Sequence, residues 1–378
     1  ASRSGHIRNK VSHLVALFAA LAIVLATAGL WANHTVLNSS EFGRVVDKSL
    51  HQKPVSDALA RYLTDETVTV LKLPELIDKT LPTNLTSAAP ILTGAIRSVV
   101  QEQVAKVIET DAVRKIVVVV ARNAHQQGIS LLSANGLGIS NLKVVNGTVT
   151  VNLVPVIATV LSALKDQGLL PSSIQVPKID QSKDATAQVA QLGDALGVEL
   201  PTKIGQLEVY KSNALGTSVN ALVQAQRALT LFKRFLLAIV LVACVLAAAT
   251  VFSASDNWRG VRHLGEATVL GFSALIIGLH RGIPSIARLA GTSTATDAIN
   301  AVLRVATQSL SKASITFIVL AALLALYSPW RTQVNEFVRE HKFVAKVLVV
   351  LGMVVYLDAW GLSLPSLLGV VIVTGATY

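Results

Sequence analysis

Arg122-Asn-Ala-His125 places a guanidinium and an imidazole one helical turn apart, the most enzyme-like local cluster in the middle of this 378-residue chain. An imidazole titrates near neutral pH and can serve as general acid or base, and a neighbouring arginine can hold an anion. Catalysis would also require a nucleophile, a metal or an orienting carboxylate. No such residue stands at a recognisable spacing, so a polar contact between two helices is the favoured reading of Arg122 and His125. Asp358 is the other ionisable side chain in an unusual setting, at the start of the turn Asp358-Ala-Trp-Gly-Leu-Ser-Leu-Pro365 between two apolar arms. A carboxylate there could be a proton or cation site, because charge is costly inside a membrane and is kept mostly for transport. An interfacial turn residue explains Asp358 more simply. Glu266, His280 and Arg281 fall at the ends of an apolar run, where their long side chains can reach water.

Other chemistries lack their residues. Gly136-Leu-Gly138 has no more than a fragment of a phosphate-binding fingerprint. No metal-ligand spacing occurs, and the single cysteine, Cys244, cannot form an internal disulfide. The expectation is therefore no catalytic, cofactor-binding or metal-ligating residue, no cofactor, and only Arg122, His125 and Asp358 as candidate functional residues.

The elements that would position these side chains belong to a membrane protein. Hydrophobic residues make up 52% of the chain and charged residues 15%, against roughly 25% charged in ordinary soluble domains. A net charge of +11 would suggest nucleic acid if it lay on a soluble face. Its location argues otherwise. Residues 33–231 carry 18 Lys+Arg against 16 Asp+Glu, while the other 15 basic and 6 acidic residues flank or separate apolar runs. Basic residues in those places meet anionic head groups and set orientation, so nucleic acid is excluded as a partner and the lipid bilayer is the first one expected.

A bilayer core needs about 20 apolar helical residues. Val11 to Ala32 meets that length after Arg3, Arg8 and Lys10. A cleaved signal peptide shares its basic start, but the run is long for one, and an uncleaved anchor is favoured. Further spans are expected at about 235–252, 264–280, 313–328, 344–358 and 364–378, with the fourth stopping at Pro329-Trp330. The last two are short, and one span with a re-entrant piece competes with a hairpin of two; the hairpin gives six. The apolar run at Tyr378 suggests that the natural sequence continues. With the N-terminus (1–10) in the cytoplasm, inner segments hold nine basic residues and short outer segments six, which places 33–231 outside.

Within 33–231 the pattern is first helical. Pro54 opens a helix on which Asp57, Arg61 and Asp65 form a charge ladder, and Pro90 to about Glu109 marks a longer amphipathic helix. Asp111 is placed to cap the next helix, whose β-branched run Val117 to Val120 could instead be a strand. Lys143-Val-Val, Asn146-Gly147 and Thr148 to Leu153 read as a hairpin, with Leu207 to Tyr210 as a third strand. Pro155 to about Leu164 and Asp184 to Leu196 read as helices. From Thr217 the pattern runs unbroken into the second span, as a stalk of several turns. Asp297 to Leu310 is expected to lie along the outer surface before the fourth span. Four Asn-x-Ser/Thr sequons, at Asn33, Asn38, Asn84 and Asn146, all fall in 33–231; the Ala/Val/Leu-rich composition looks bacterial, where they carry no meaning. The expected fold class is thus a mainly α membrane protein, with about six transmembrane helices and an α+β extracytoplasmic domain inserted between the first and second.

Ala58-Leu-Ala-Arg-Tyr-Leu-Thr-Asp65, Leu81-Pro82, Arg122-Asn-Ala-His125, Gly147-Thr-Val-Thr-Val-Asn-Leu153 and the Asp358 to Pro365 turn, in this order, resemble a family of actinobacterial multi-pass integral membrane proteins with a large extracytoplasmic domain. The resemblance implies a bacterial plasma-membrane location and the same inside-out-inside order. It carries no settled activity and transfers no functional residue. The expected role is a non-enzymatic accessory or scaffold protein whose outer domain binds or positions another membrane or envelope protein, or a second copy of itself. A channel or transporter for an ion or lipid, lined by Asp358 or the Gly-bearing third span, and an envelope hydrolase using His125, are the alternatives.

Overall fold

The computed structural model describes residues 3–82, 87–133, 142–145, 148–170, 174–180, 183–211, 219–254, 256–288 and 292–340. Helices come first: α1 (Arg3–Trp31), a π-helical turn (Ala32–Val36), α2 (Ser39–Leu50), α3 (Lys53–Val70), α4 (Leu73–Thr80), α5 (Ala89–Ile108) and α6 (Asp111–Leu132). Then follow β1 (Leu142–Val145), β2 (Thr148–Asn152), α7 (Val154–Asp166), α8 (Ala185–Leu196), β3 (Gln206–Lys211), α9 (Val219–Ser253), α10 (Asn257–Ala287) and α11 (Ser293–Glu340). The chain divides into two compact units. Of the described residues, one unit gathers those within 3–33, 232–285 and 306–340; the other gathers those within His34–Leu231 and Ile286–Val305.

Among the described residues, four stretches are long and apolar enough to cross a membrane: Val11–Val36, Gln224–Ser253, Asn257–Ala287 and Ser293–Tyr327. The chain is a membrane protein with several spans. Large apolar side chains along them stay uncovered, Leu237 at 69% and Phe252 at 73% exposure among them, as lipid-facing residues would. The expected fifth and sixth spans and Asp358 lie outside the described residues. Two boundaries differ from expectation. No separate surface helix precedes the fourth span, because α11 runs without a break from Ser293, and it continues past Pro329 to Glu340. A proline removes one backbone donor from a helix but does not forbid continuation where the flanking turns hold.

The spanning unit is assembled through close backbone approaches. A Cβ on Gly260 of α10 would stand 2.7 Å from the Thr250 carbonyl oxygen of α9, and one on Gly265 would stand 2.7 Å from the Ala321 carbonyl oxygen of α11. Small residues are what lets helices pack this tightly where apolar burial gives no net drive. Phe272 of α10, fully buried, stacks on Phe317 of α11 at 4.8 Å between ring centroids.

The second unit corrects the expected α+β domain. It is helical, with three strands of four, five and six residues as its only sheet among the described residues. The sheet is antiparallel in the order β1-β2-β3, and the Asn146-Gly147 turn lies outside the described residues. Its core is built by helices: Leu63 of α3, Val104, Val107 and Ile108 of α5, Val113, Val117 and Val120 of α6, and most of α7. The β-branched run is helical because Val113, Val117, Val120 and Ala124, all buried, recur at the spacing of one helical face. That pattern overrides the strand preference of its residues. α7 is the centre, burying Val154, Val156, Ile157, Val160, Leu161 and Leu164.

Local signals act as their chemistry requires. Pro54, Pro90 and Pro155 stand in the first turns of α3, α5 and α7. Asp184 caps α8 by accepting from the Ala187 amide at 2.8 Å, and Gly197 ends it at φ 67°. Asp111 instead occupies the first position of α6 itself and pairs with Arg114. The charge ladder on α3 does not form either: Arg61 donates to the Thr294 hydroxyl at 2.9 Å, and Asp65 pairs with Arg97 of α5.

Candidate functional site

α2 begins where the first apolar helix ends, and its start is strongly specified. The Asn38 side-chain oxygen accepts from the amides of Ser40 at 2.9 Å and Glu41 at 3.2 Å, two of the donors a helix start leaves open. Glu41 pairs with Arg44 one turn on, and lies 3.8 Å from the exposed His34 imidazole.

α6 packs antiparallel on α2, since Ser39 faces His125 and Gly43 faces Arg122. The Arg122 stem crosses α2 where Gly43 leaves room, its Cβ and Cδ both 3.6 Å from where a Gly43 Cβ would be. One turn on, His125 lies flat on Phe42, with centroids 4.2 Å apart and planes 12° from parallel. Its Nε2 is 2.8 Å from the Val36 carbonyl oxygen, and its Nδ1 is 3.0 Å from the Ser39 hydroxyl. A carbonyl only accepts, so Nε2 carries the proton; in the neutral ring Nδ1 then accepts from Ser39. Burial holds the His125 pKa below the usual imidazole value, and the hydrogen bond to Val36 works against that shift.

The structure therefore brings Arg122 and His125 to one interface and supplies the hydroxyl that the sequence spacing did not reveal. Ser39, Phe42 and Val36 are more than 80 positions away in sequence, and only the Asn38-to-Glu41 capping pattern marks their region in advance. Chemically the arrangement is closed. Both ring nitrogens are engaged by the protein's own atoms, and the Ser40 and Glu41 amides that could stabilise an oxyanion beside Ser39 are taken by Asn38. The arrangement orients a junction; it leaves no free base beside an open donor pair.

No family model, no curated protein and no solved structure matches this chain. The reading of the site therefore rests on its own geometry. No group of three or more His, Cys, Asp or Glu side chains could hold a metal ion among the described residues. Other shifted groups in this unit are structural. Burial, reinforced by the Glu66 carboxylate beside it, pushes the Tyr62 phenol far above its usual range. Glu66 in turn accepts from the Gly205 amide at 3.0 Å. The exposed Glu102 and Asp111 carboxyls are held low by Lys106 and Arg114.

One surface is not accounted for by the core. The second half of α5 is anchored by Val104, Val107 and Ile108, but its first half leaves Ile91 at 77%, Leu92 at 40% and Val99 at 50% exposure. Nothing stands within 4 Å of where a Gly94 Cβ would be.

Proposed function

We propose that the chain is a non-enzymatic accessory or scaffold protein of the bacterial plasma membrane, with its N-terminus cytoplasmic and residues 33–231 outside. In this reading the outer unit binds or positions a protein partner of the cell envelope, and the spans anchor it. The observation that carries the proposal is the uncovered apolar half of α5, a surface that a unit with its own closed helical core has no internal use for. The closed state of the His125 junction supports the non-enzymatic part, because a base engaged at both nitrogens is built for orientation.

The test is photo-crosslinking from position 91 in native membranes, with the full chain carrying either Val99 or Val99→Glu. The expected result is one defined crosslinked protein, lost with Val99→Glu while the chain keeps its thermal midpoint. Purification with neither a crosslinked partner nor self-association would overturn the proposal. Orientation is checked separately by labelling Asn38→Cys with an impermeant maleimide in intact cells, where labelling is expected.

A further inference from the structure

Three helices of the spanning unit meet at a polar cluster that the sequence reading did not single out. Ser12 of α1 is fully buried, and its hydroxyl donates to the Thr250 carbonyl of α9 at 3.1 Å. The same oxygen lies 3.2 Å from Nδ1 of His263 on α10. A hydroxyl has one proton, and the Thr250 carbonyl takes it. The Ser12 oxygen is therefore the acceptor toward His263, and Nδ1 carries a proton. Next to Ser12 on α1, His13 stacks on the His263 ring with centroids 3.5 Å apart and planes 24° from parallel.

We propose that His13 and His263 form a proton-sensitive clasp that closes the α1, α9 and α10 junction when at most one ring is charged and loosens it when both are. Two parallel imidazoles at that separation gain from stacking while one is neutral; as a pair of cations they repel face to face. The surroundings do not offset a second charge. His263 also experiences Arg259 and Arg262 on its own helix, against the single carboxylate Glu266, which already accepts from Arg262 at 2.7 Å. α9 presents the Thr250 carbonyl, and α1 presents Ser12 and His13 itself. Stacked rings direct their nitrogens side by side and not at a common point, so the ligand this geometry takes is a proton and not a shared metal ion. The clasp is independent of whatever the outer unit binds.

The experiment compares the full chain with His13→Phe in lipid nanodiscs, measuring the thermal midpoint from about pH 7.5 to about pH 5.5, across the usual imidazole range. Phenylalanine keeps a ring on His263 and cannot take a charge. The expected result is a fall in the wild-type midpoint that His13→Phe removes in large part. An equal fall in both overturns the clasp. Histidine-ring NMR of the wild type is the second readout, and does not depend on the variant folding well: through-space contacts between the two rings are expected at about pH 7.5 and are expected to be lost at about pH 5.5. Contacts that persist unchanged at the lower pH would also overturn it.

Discussion

Replacing His125 with phenylalanine separates the two roles an imidazole at the α2–α6 junction could have. The variant keeps a flat ring over Phe42 but loses the bonds to the Val36 carbonyl at 2.8 Å and the Ser39 hydroxyl at 3.0 Å. Each bond between neutral groups is worth about 0.5–1.5 kcal/mol net, so the pair amounts to about 1–3 kcal/mol. Water reaches this half-buried junction and can satisfy the orphaned carbonyl, which keeps the cost in that range. His125→Ala removes the stack as well, a further loss of about 0.5–1.5 kcal/mol before any packing defect. Pulse proteolysis of the full chain in nanodiscs reads both as shifts in the population of cleavable states. The expected order is wild type, then Phe, then Ala, with crosslinking from position 91 preserved in the Phe variant. A Phe variant as stable as wild type, yet without the protein's cellular phenotype, would refute the structural reading of His125 and restore its chemical one.

Two glycines with positive φ provide an internal comparison. Gly205→Ala at φ 67° would bring a Cβ to 2.8 Å from the Val154 side chain and 3.0 Å from the Val154 amide nitrogen, whereas Gly168→Ala at φ 74° meets nothing within 4 Å. Both carry the left-handed backbone cost of about 1–2 kcal/mol, and only Gly205→Ala adds an overpacking cost of about 1–3 kcal/mol, so equal losses on unfolding would contradict the packing around α7. Gln188→Leu leaves the buried Asn152 amide, now donating to Gln188 at 2.8 Å, and the Lys183 carbonyl without their partner. A loss on the order of 2 kcal/mol or more is expected by the same assay. Because the folded His125 pKa is depressed, the unfolded chain binds more protons, and the contribution of this ring is full above about pH 6.5 and is lost as pH falls through that value toward the folded pKa. Stability of His125→Gln should accordingly fall less than that of wild type between about pH 6.5 and pH 5, measured by the same proteolysis.

What could be read in advance was local. The starts of α3, α5 and α7 follow from prolines, and both ends of α8 follow from Asp184 and Gly197, because these residues act on their own neighbours. The β1–β2 pairing follows from alternation around a two-residue gap. The helix running through Ile116 to Val120 towards Leu132 was legible as well, and α6 follows it, with the core beside α7 deciding against the strand alternative at Val117 to Val120. Residues whose role depends on a distant partner were not legible. Arg61 and Asp65, which look like partners at i and i+4, each find a better-placed group elsewhere, on Thr294 and Arg97. At the junction His125 stood out by type, while Ser39, which explains it, looked like part of a sequon. His13 and His263 stand 250 positions apart, and no periodicity links them.

The helical core described for the second unit has a consequence for biosynthesis. Every buried residue of that core lies between Leu50 and Ile204, after the first span and before the second. A chain made from its N-terminus onward thus completes all the parts of this core before Gln224 begins the next apolar segment, and domains generally fold as units during synthesis. Thr294, which receives Arg61, is a late addition to a unit whose interior is already supplied. Mutations in the later spans should therefore damage membrane assembly without preventing this core from closing, and substitutions at the core itself, such as Gly205→Ala and Gln188→Leu, should do the reverse.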